Sequence, residues 1–63
     1  MSAVRYRVKA DDGRYVERLH RGSHVAAAWT YYESSARTFG YNVALAVAAR
    51  NTAHVVKSSN LHP

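Results

Sequence analysis

The chain has 63 residues, no cysteine, and nine Lys and Arg against four Asp and Glu, a net charge of +5 with histidine neutral. A domain this small buries only about 60% of the surface its unfolded chain exposes, and without cysteine it has neither a disulfide nor a thiolate metal site to compensate. No segment approaches the ~20 apolar residues needed to cross a bilayer, and the opening MSAVRYRVKA lacks the apolar run of a signal peptide, so the expectation is one soluble, cytoplasmic domain over residues 1–63.

Residues 3–9 alternate Val4, Tyr6 and Val8 with Arg5, Arg7 and Lys9. Period two with β-forming apolar members predicts a strand. ADDGR follows, two aspartates and a glycine suited to a turn, and residues 14–20 read as the returning strand of a hairpin. Two registers are open. A two-residue Asp12-Gly13 turn sets Arg7 opposite Arg18 and Tyr6 opposite Leu19. A three-residue loop with Gly13 at the bulge sets Val8 opposite Val16 and Arg7 opposite Glu17, exchanging a repulsive cross-strand pair for an attractive one. In both, Arg5, Arg7 and Lys9 share one face.

RGSH, residues 21–24, reads as a loop, and VAAAWTYY, residues 25–32, as a short third strand. YNVALAVAARN is almost wholly Ala, Val and Leu and predicts a helix over 42–50, begun by Asn42 or Gly40. A start at Ser34 also fits the helical recurrence of Ala36, Phe39, Val43 and Val47, with Gly40 then inside the helix at a cost of about 1 kcal/mol. Residues 52–59 read as a last strand around Val55 and Val56, and NLHP as a frayed tail. Together these give an α+β fold, a three- to four-stranded antiparallel sheet with one Ala-rich helix packed on one face. Ala44 and Ala48 let the helix lie close, Tyr6, Trp29 and Phe39 supply bulk, and the cation row lines the other, uncovered face.

That row is the first candidate site. Arg5, Arg7, Lys9, Arg14, Arg18 and Arg21 offer several phosphate contacts, and exposed tyrosines such as Tyr15 or Tyr32 offer stacking for unpaired bases. No RNP-like run, G-x-x-G loop or zinc-finger spacing accompanies them. Charged side chains on an exposed sheet face also serve simply to prevent aggregation. His20 and His24 are four apart, but the Gly and Ser between them argue against a helical metal pair, and with His54 and His62 they read as surface histidines. The acids Asp11, Asp12, Glu17 and Glu33 include no pair placed to flank a substrate bond, and Ser23, Ser34 and Ser35 have no evident base. The chain is therefore expected to be non-enzymatic, with no cofactor and no metal. The helix is apolar nearly all round, which points to burial on more than one side, in a homodimer or against a larger protein.

Gly13, Tyr15 and Val16, then Trp29-Thr30, Ala36 and Phe39, Ala44, and Val55-Val56 form a pattern covering most of the chain. It resembles that of short accessory proteins of phages and mobile elements. The resemblance carries no catalytic or ligand residue and implies a protein that works by binding, a class that includes inhibitors of host defence such as anti-CRISPR proteins. Those that imitate DNA are acidic; at +5 this chain would instead occupy an acidic protein patch or touch the nucleic acid of a ribonucleoprotein. Two functions are thus expected. One is a nucleic-acid or nucleoprotein binder using Arg5, Arg7, Lys9, Arg14 and Arg18. The other is an inhibitor of a host protein complex anchored by Trp29, Tyr31, Tyr32 and Arg37.

Overall fold

The computed structural model describes residues 4–58. Strand β1 (Tyr6–Lys9) and β2 (Tyr15–Leu19) flank the first turn, and β3 (Ala26–Thr30) returns from the second. A single 3₁₀ turn (Glu33–Ser35) precedes helix α1 (Tyr41–Asn51), and β4 (His54–Lys57) closes the chain. All pairings are antiparallel, and the strand order is β3-β2-β1-β4. The α+β architecture therefore follows the sequence expectation, with four strands and one helix. The beginning of the first predicted strand, the end of the last, the NLHP tail and His62 lie outside the described residues.

The first turn decides between the two registers. Gly13 donates its N–H to the Ala10 carbonyl, Ala10 donates to the Arg14 carbonyl, and Gly13 has φ +94°. That is a three-residue loop with glycine in the left-handed position, and it sets Lys9 opposite Tyr15. The two-residue register is excluded.

The paired hairpin does not continue as predicted. Beyond Lys9 and Tyr15 the strands part, and residues 37–39 fill the fork between them. Tyr6 and Phe39 exchange backbone hydrogen bonds of 2.9 and 2.8 Å, and Arg37 donates its N–H to the Val16 carbonyl at 3.0 Å. Arg7 therefore never pairs with Glu17. The chain between β3 and α1 acts as a short stand-in strand, using backbone groups that the split would otherwise strand without partners.

Strand β2 also breaks its own alternation. Val16 is opposite Trp29, Arg18 opposite Ala28 and Leu19 opposite Ala26, so each strand carries one irregularity in turn. The spacing V-E-R-L explains why: in a straight strand Val16 and Leu19 would face opposite sides. The first bulge restores Leu19 to the core side and leaves Glu17 and Arg18 both exposed.

Helix α1 lies mainly over β1 and β4. Its inward residues Ala44, Val47 and Ala48 join Val8, Val16 and Phe39 as the core, with Tyr6, Leu19, Ala26, Trp29, Ala53 and Val55 packed around them. Small side chains on the helix and bulk on the sheet thus meet as expected. The helix begins after Gly40, which is extended (φ −69°, ψ 165°) and accepts from the Ala44 N–H at 2.9 Å. The start at Ser34 is corrected: the 3₁₀ turn there ends at an extended Ala36, and residues 37–39 are drawn into the fork. At the other end Thr52 takes the left-handed conformation (φ 52°, ψ 51°), and the N–H groups of Thr52 and Ala53 both close on the Ala48 carbonyl.

Candidate functional site

Strand alternation and the core contacts of Tyr6 and Val8 turn Arg5, Arg7 and Lys9 away from the helix. The expectation that this face lies open is corrected by what crosses it. The Arg7 side chain is only 13% exposed. Its Nε donates to the Glu33 carbonyl at 3.1 Å, and its Nη1 reaches the Glu33 carboxylate at 3.4 Å and the Ser58 hydroxyl at 2.6 Å. Arg5 donates through Nη2 to the Thr38 carbonyl at 3.0 Å, with Nε near the Thr38 hydroxyl. Two members of the row therefore hold down the segment between β3 and α1. Lys9, the third, places its ammonium 5.5 Å from the Tyr15 ring centre, a cation–π arrangement.

The segment they hold, residues 31–38, displays what the sheet face does not. Tyr31 and Tyr32 are 67% and 73% exposed, the most open of the large hydrophobic side chains described. Their backbone is nonetheless fixed. Tyr32 donates its N–H to the Thr30 hydroxyl at 3.1 Å, and Ser35 and Ala36 close the 3₁₀ turn on the carbonyls of Tyr32 and Glu33. Arg37 follows, exposed, with its guanidinium 5.6 Å from the Phe39 ring centre.

The remaining predicted residues divide. Trp29 packs against the core, with Arg14 stacked 5.3 Å from its ring centre, so this pair closes one flank of the molecule and Trp29 is no free anchor. Arg14 also pairs with Asp12 at 2.8 Å. The Arg14 backbone N–H bonds the Asp12 carboxylate at 3.1 Å and is the main reason that carboxyl sits below its ordinary range. The Arg14 guanidinium lowers it further, against an opposing desolvation. Arg18 is exposed on the bulge, and Arg21 is exposed beside His20 and His24 at the second turn. There the positive φ of Gly22 (68°) and the Ser23-to-His20 hydrogen bond build the reversal. His54 stands 3.8 Å from Asp11. Tyr41, Val43 and Leu45 stay exposed on α1, Tyr41 and Leu45 on one flank of the buried stripe and Val43 on the other, with Tyr41 leaning on Tyr6 at 5.1 Å between ring centres.

Glu33, which the sequence offers only as an unpaired acid, organises this surface with Thr38 and Ser58, and Asn51 organises the far end of the helix; the sequence singles out none of the last three. Asn51 accepts the Ala26 N–H at 2.9 Å and donates to the carbonyls of His24 and Val47 at 2.8 and 2.6 Å, tying the start of the outer strand β3 to the end of the helix. An asparagine closing an alanine-rich helix was the available signal.

Charge is unevenly satisfied. Of the nine Lys and Arg, only Arg7 and Arg14 form ion pairs among the described residues, which leaves Arg5, Lys9, Arg18, Arg21, Arg37, Arg50 and Lys57 without one. No family model matches the chain, and no curated protein or solved structure shows significant similarity to it.

Proposed function

We propose that this protein is a non-enzymatic binding module that engages an anionic surface, nucleic acid or nucleoprotein, through its cations. The observation that carries this reading is the surplus of positive charge left after internal pairing. Two of the four carboxylates are taken up by Arg7 and Arg14, and seven Lys and Arg have no carboxylate partner among the described residues. Arg5, bonded to the pinned segment at Thr38, Arg37 within it, and Lys9 on the adjoining strand are the cations assigned to phosphate; Arg7 serves to hold the segment. Among the described residues no helix is long and apolar enough to cross a membrane, and we assign the protein to the cytoplasm.

The test is a salt titration of binding to a labelled polyanion. Three phosphate contacts give a slope of about −2 in log affinity against log salt, so affinity falls roughly ten- to twenty-fold between about 50 and 200 mM. Absence of binding at the low-salt end refutes the reading.

A second reading is supported by the exposed Tyr31 and Tyr32 beside Arg37, since aromatic and Arg side chains dominate protein–protein hot spots. In it the chain is a phage- or plasmid-encoded inhibitor of a host defence complex, of the anti-CRISPR kind. It then binds one protein stoichiometrically, with modest salt dependence and no affinity for free oligonucleotides. The outward side chains of α1 support self-association as well, and a sedimentation mass equal to the monomer at high concentration removes that option.

A further inference from the structure

We infer that the segment 31–38 selects single-stranded over double-stranded nucleic acid, with Tyr31 and Tyr32 as the stacking platform. This rests on the anionic-partner reading above and assigns it a substrate class. Three observations converge. Both rings are mostly in water, at 67% and 73% exposure. The backbone that carries them is tied at Tyr32 to Thr30, at Glu33 to Arg7, at Arg37 to Val16 and at Thr38 to Arg5, so little order remains to be gained on binding. The segment itself is cationic: Arg37 belongs to it, Arg5 is bonded to it at Thr38, and its one acid, Glu33, is already met by Arg7.

Such an arrangement has little to offer a duplex. Inside a double helix the faces of the bases are covered by their neighbours, and only edges and phosphates can be reached. An unpaired strand presents base faces to any open aromatic ring, and stacking tolerates every base. Phosphate contacts from Arg5, Lys9 and Arg37 attract both forms; the two tyrosines add affinity only for the unpaired one. Neither ring recognises the sugar, so DNA and RNA single strands share the chemistry.

The experiment measures anisotropy at fixed salt with labelled oligo-thymidylate, oligo-uridylate, a mixed-sequence DNA duplex and poly-glutamate. The wild-type protein is compared with the double variants Tyr31→Leu/Tyr32→Leu and Tyr31→Phe/Tyr32→Phe. The expected result is single-strand binding about ten-fold or more tighter than duplex binding, lost in the Leu pair and kept in the Phe pair, in keeping with the usual worth of base–aromatic stacking. Duplex affinity stays unchanged in both. The two sugar types distinguish DNA from RNA as the source of the strand. Equal affinity for duplex and single strand, or a Leu pair that binds single strands like wild type, overturns the inference while leaving the broader reading standing. Preference for poly-glutamate overturns it in favour of an acidic protein partner. Failure to bind any of the polyanions overturns both. Identical thermal unfolding of the variants shows that the exposed rings were not needed for folding.

Discussion

Arg7 gives the sharpest test of the packing, because the sequence makes it a surface cation and the structure makes it a tie. Consider Arg7→Met, which keeps an apolar stem of similar length and removes the guanidinium. The bonds lost are those to the Glu33 carbonyl and the Ser58 hydroxyl, at 3.1 and 2.6 Å, and the ion pair to the Glu33 carboxylate at 3.4 Å. Hydrogen bonds from a charged donor contribute about 1.5 kcal/mol each at the lower end of their range. The Glu33 side chain is 47% exposed, so the ion pair is screened and adds only a few tenths, roughly. Against this, the Met side chain gains about 1 kcal/mol by filling a site nearly closed to water. The net loss is about 2 kcal/mol. A domain of this length has about 3–9 kcal/mol in all, so the melting temperature should fall by about 8–16 °C. Urea denaturation followed by tyrosine and tryptophan fluorescence measures it. A double cycle with Glu33→Gln should return a coupling below about 1 kcal/mol, because most of the loss lies in the backbone carbonyl and Ser58. If Arg7→Met changes stability by less than about 0.5 kcal/mol, as ordinary surface substitutions do, then Arg7 points into water and segment 31–38 is not held as described.

Three further outcomes follow from local geometry. Asn51→Ala removes the acceptor of the Ala26 N–H and the donor to the His24 carbonyl; it should cost about 1–2 kcal/mol and speed hydrogen exchange at Ala26 specifically, as NMR would show. Thr52→Gly relieves a β-branched residue held at φ 52° and should stabilise by about 0.5–1 kcal/mol, the left-handed penalty less the added freedom of the unfolded glycine; a loss on thermal melting would contradict the cap geometry. For Asp12 the folded carboxyl is lowered chiefly by the Arg14 backbone N–H, so its contribution is present above the ordinary aspartate value of about 3.9 and is lost as pH falls through the lower folded value. Asp12→Asn should therefore make acid unfolding less steep below about pH 4, while an NMR titration of wild-type Asp12 at or above the ordinary value would reverse the assignment.

Local signals in the chain were read well where one residue type leaves one option. The alternation of Tyr6 and Val8 with Arg5 and Arg7, the Asp-Asp-Gly turn, and the alanines of α1 each gave their element to within a few residues. The two hairpin registers differ by one residue of loop length and both place Gly13 at positive φ; the hydrogen bonds that close the loop on Ala10 and Arg14, with Asp12 outside the left-handed region that a two-residue turn requires, choose between them. Non-local effects were not legible. That β1 and β2 part after one pair depends on residues 37–39 arriving from the far side of β3, and R-T-F has no strand alternation of its own. Trp29 carries two expectations, core bulk and partner anchor, and the structure takes the first. A tryptophan beside an edge can anchor a partner or close a core, and the bulge that faces it toward Val16 is written in the joint spacing of Val16 and Leu19, not in its neighbours.

Under the proposed function, the cation row and the exposed tyrosines, separate features of the sequence, act together, because Arg5 and Arg7 are bonded to the segment that carries the tyrosines. If Arg5 and Arg7 lay free on an open sheet, every substitution in the row would weaken polyanion binding and lower its salt slope by about one contact each. With Arg7 turned into the protein, its charge is already balanced by Glu33 and releases no counterion when a phosphate arrives. Removing it should loosen the tyrosines instead, weakening stacking while the salt slope stays constant, whereas removing Lys9 or Arg37 should lower the slope. Position in the row therefore does not predict the role of each cation; what predicts it is whether a carboxylate and a backbone carbonyl have reached the guanidinium first.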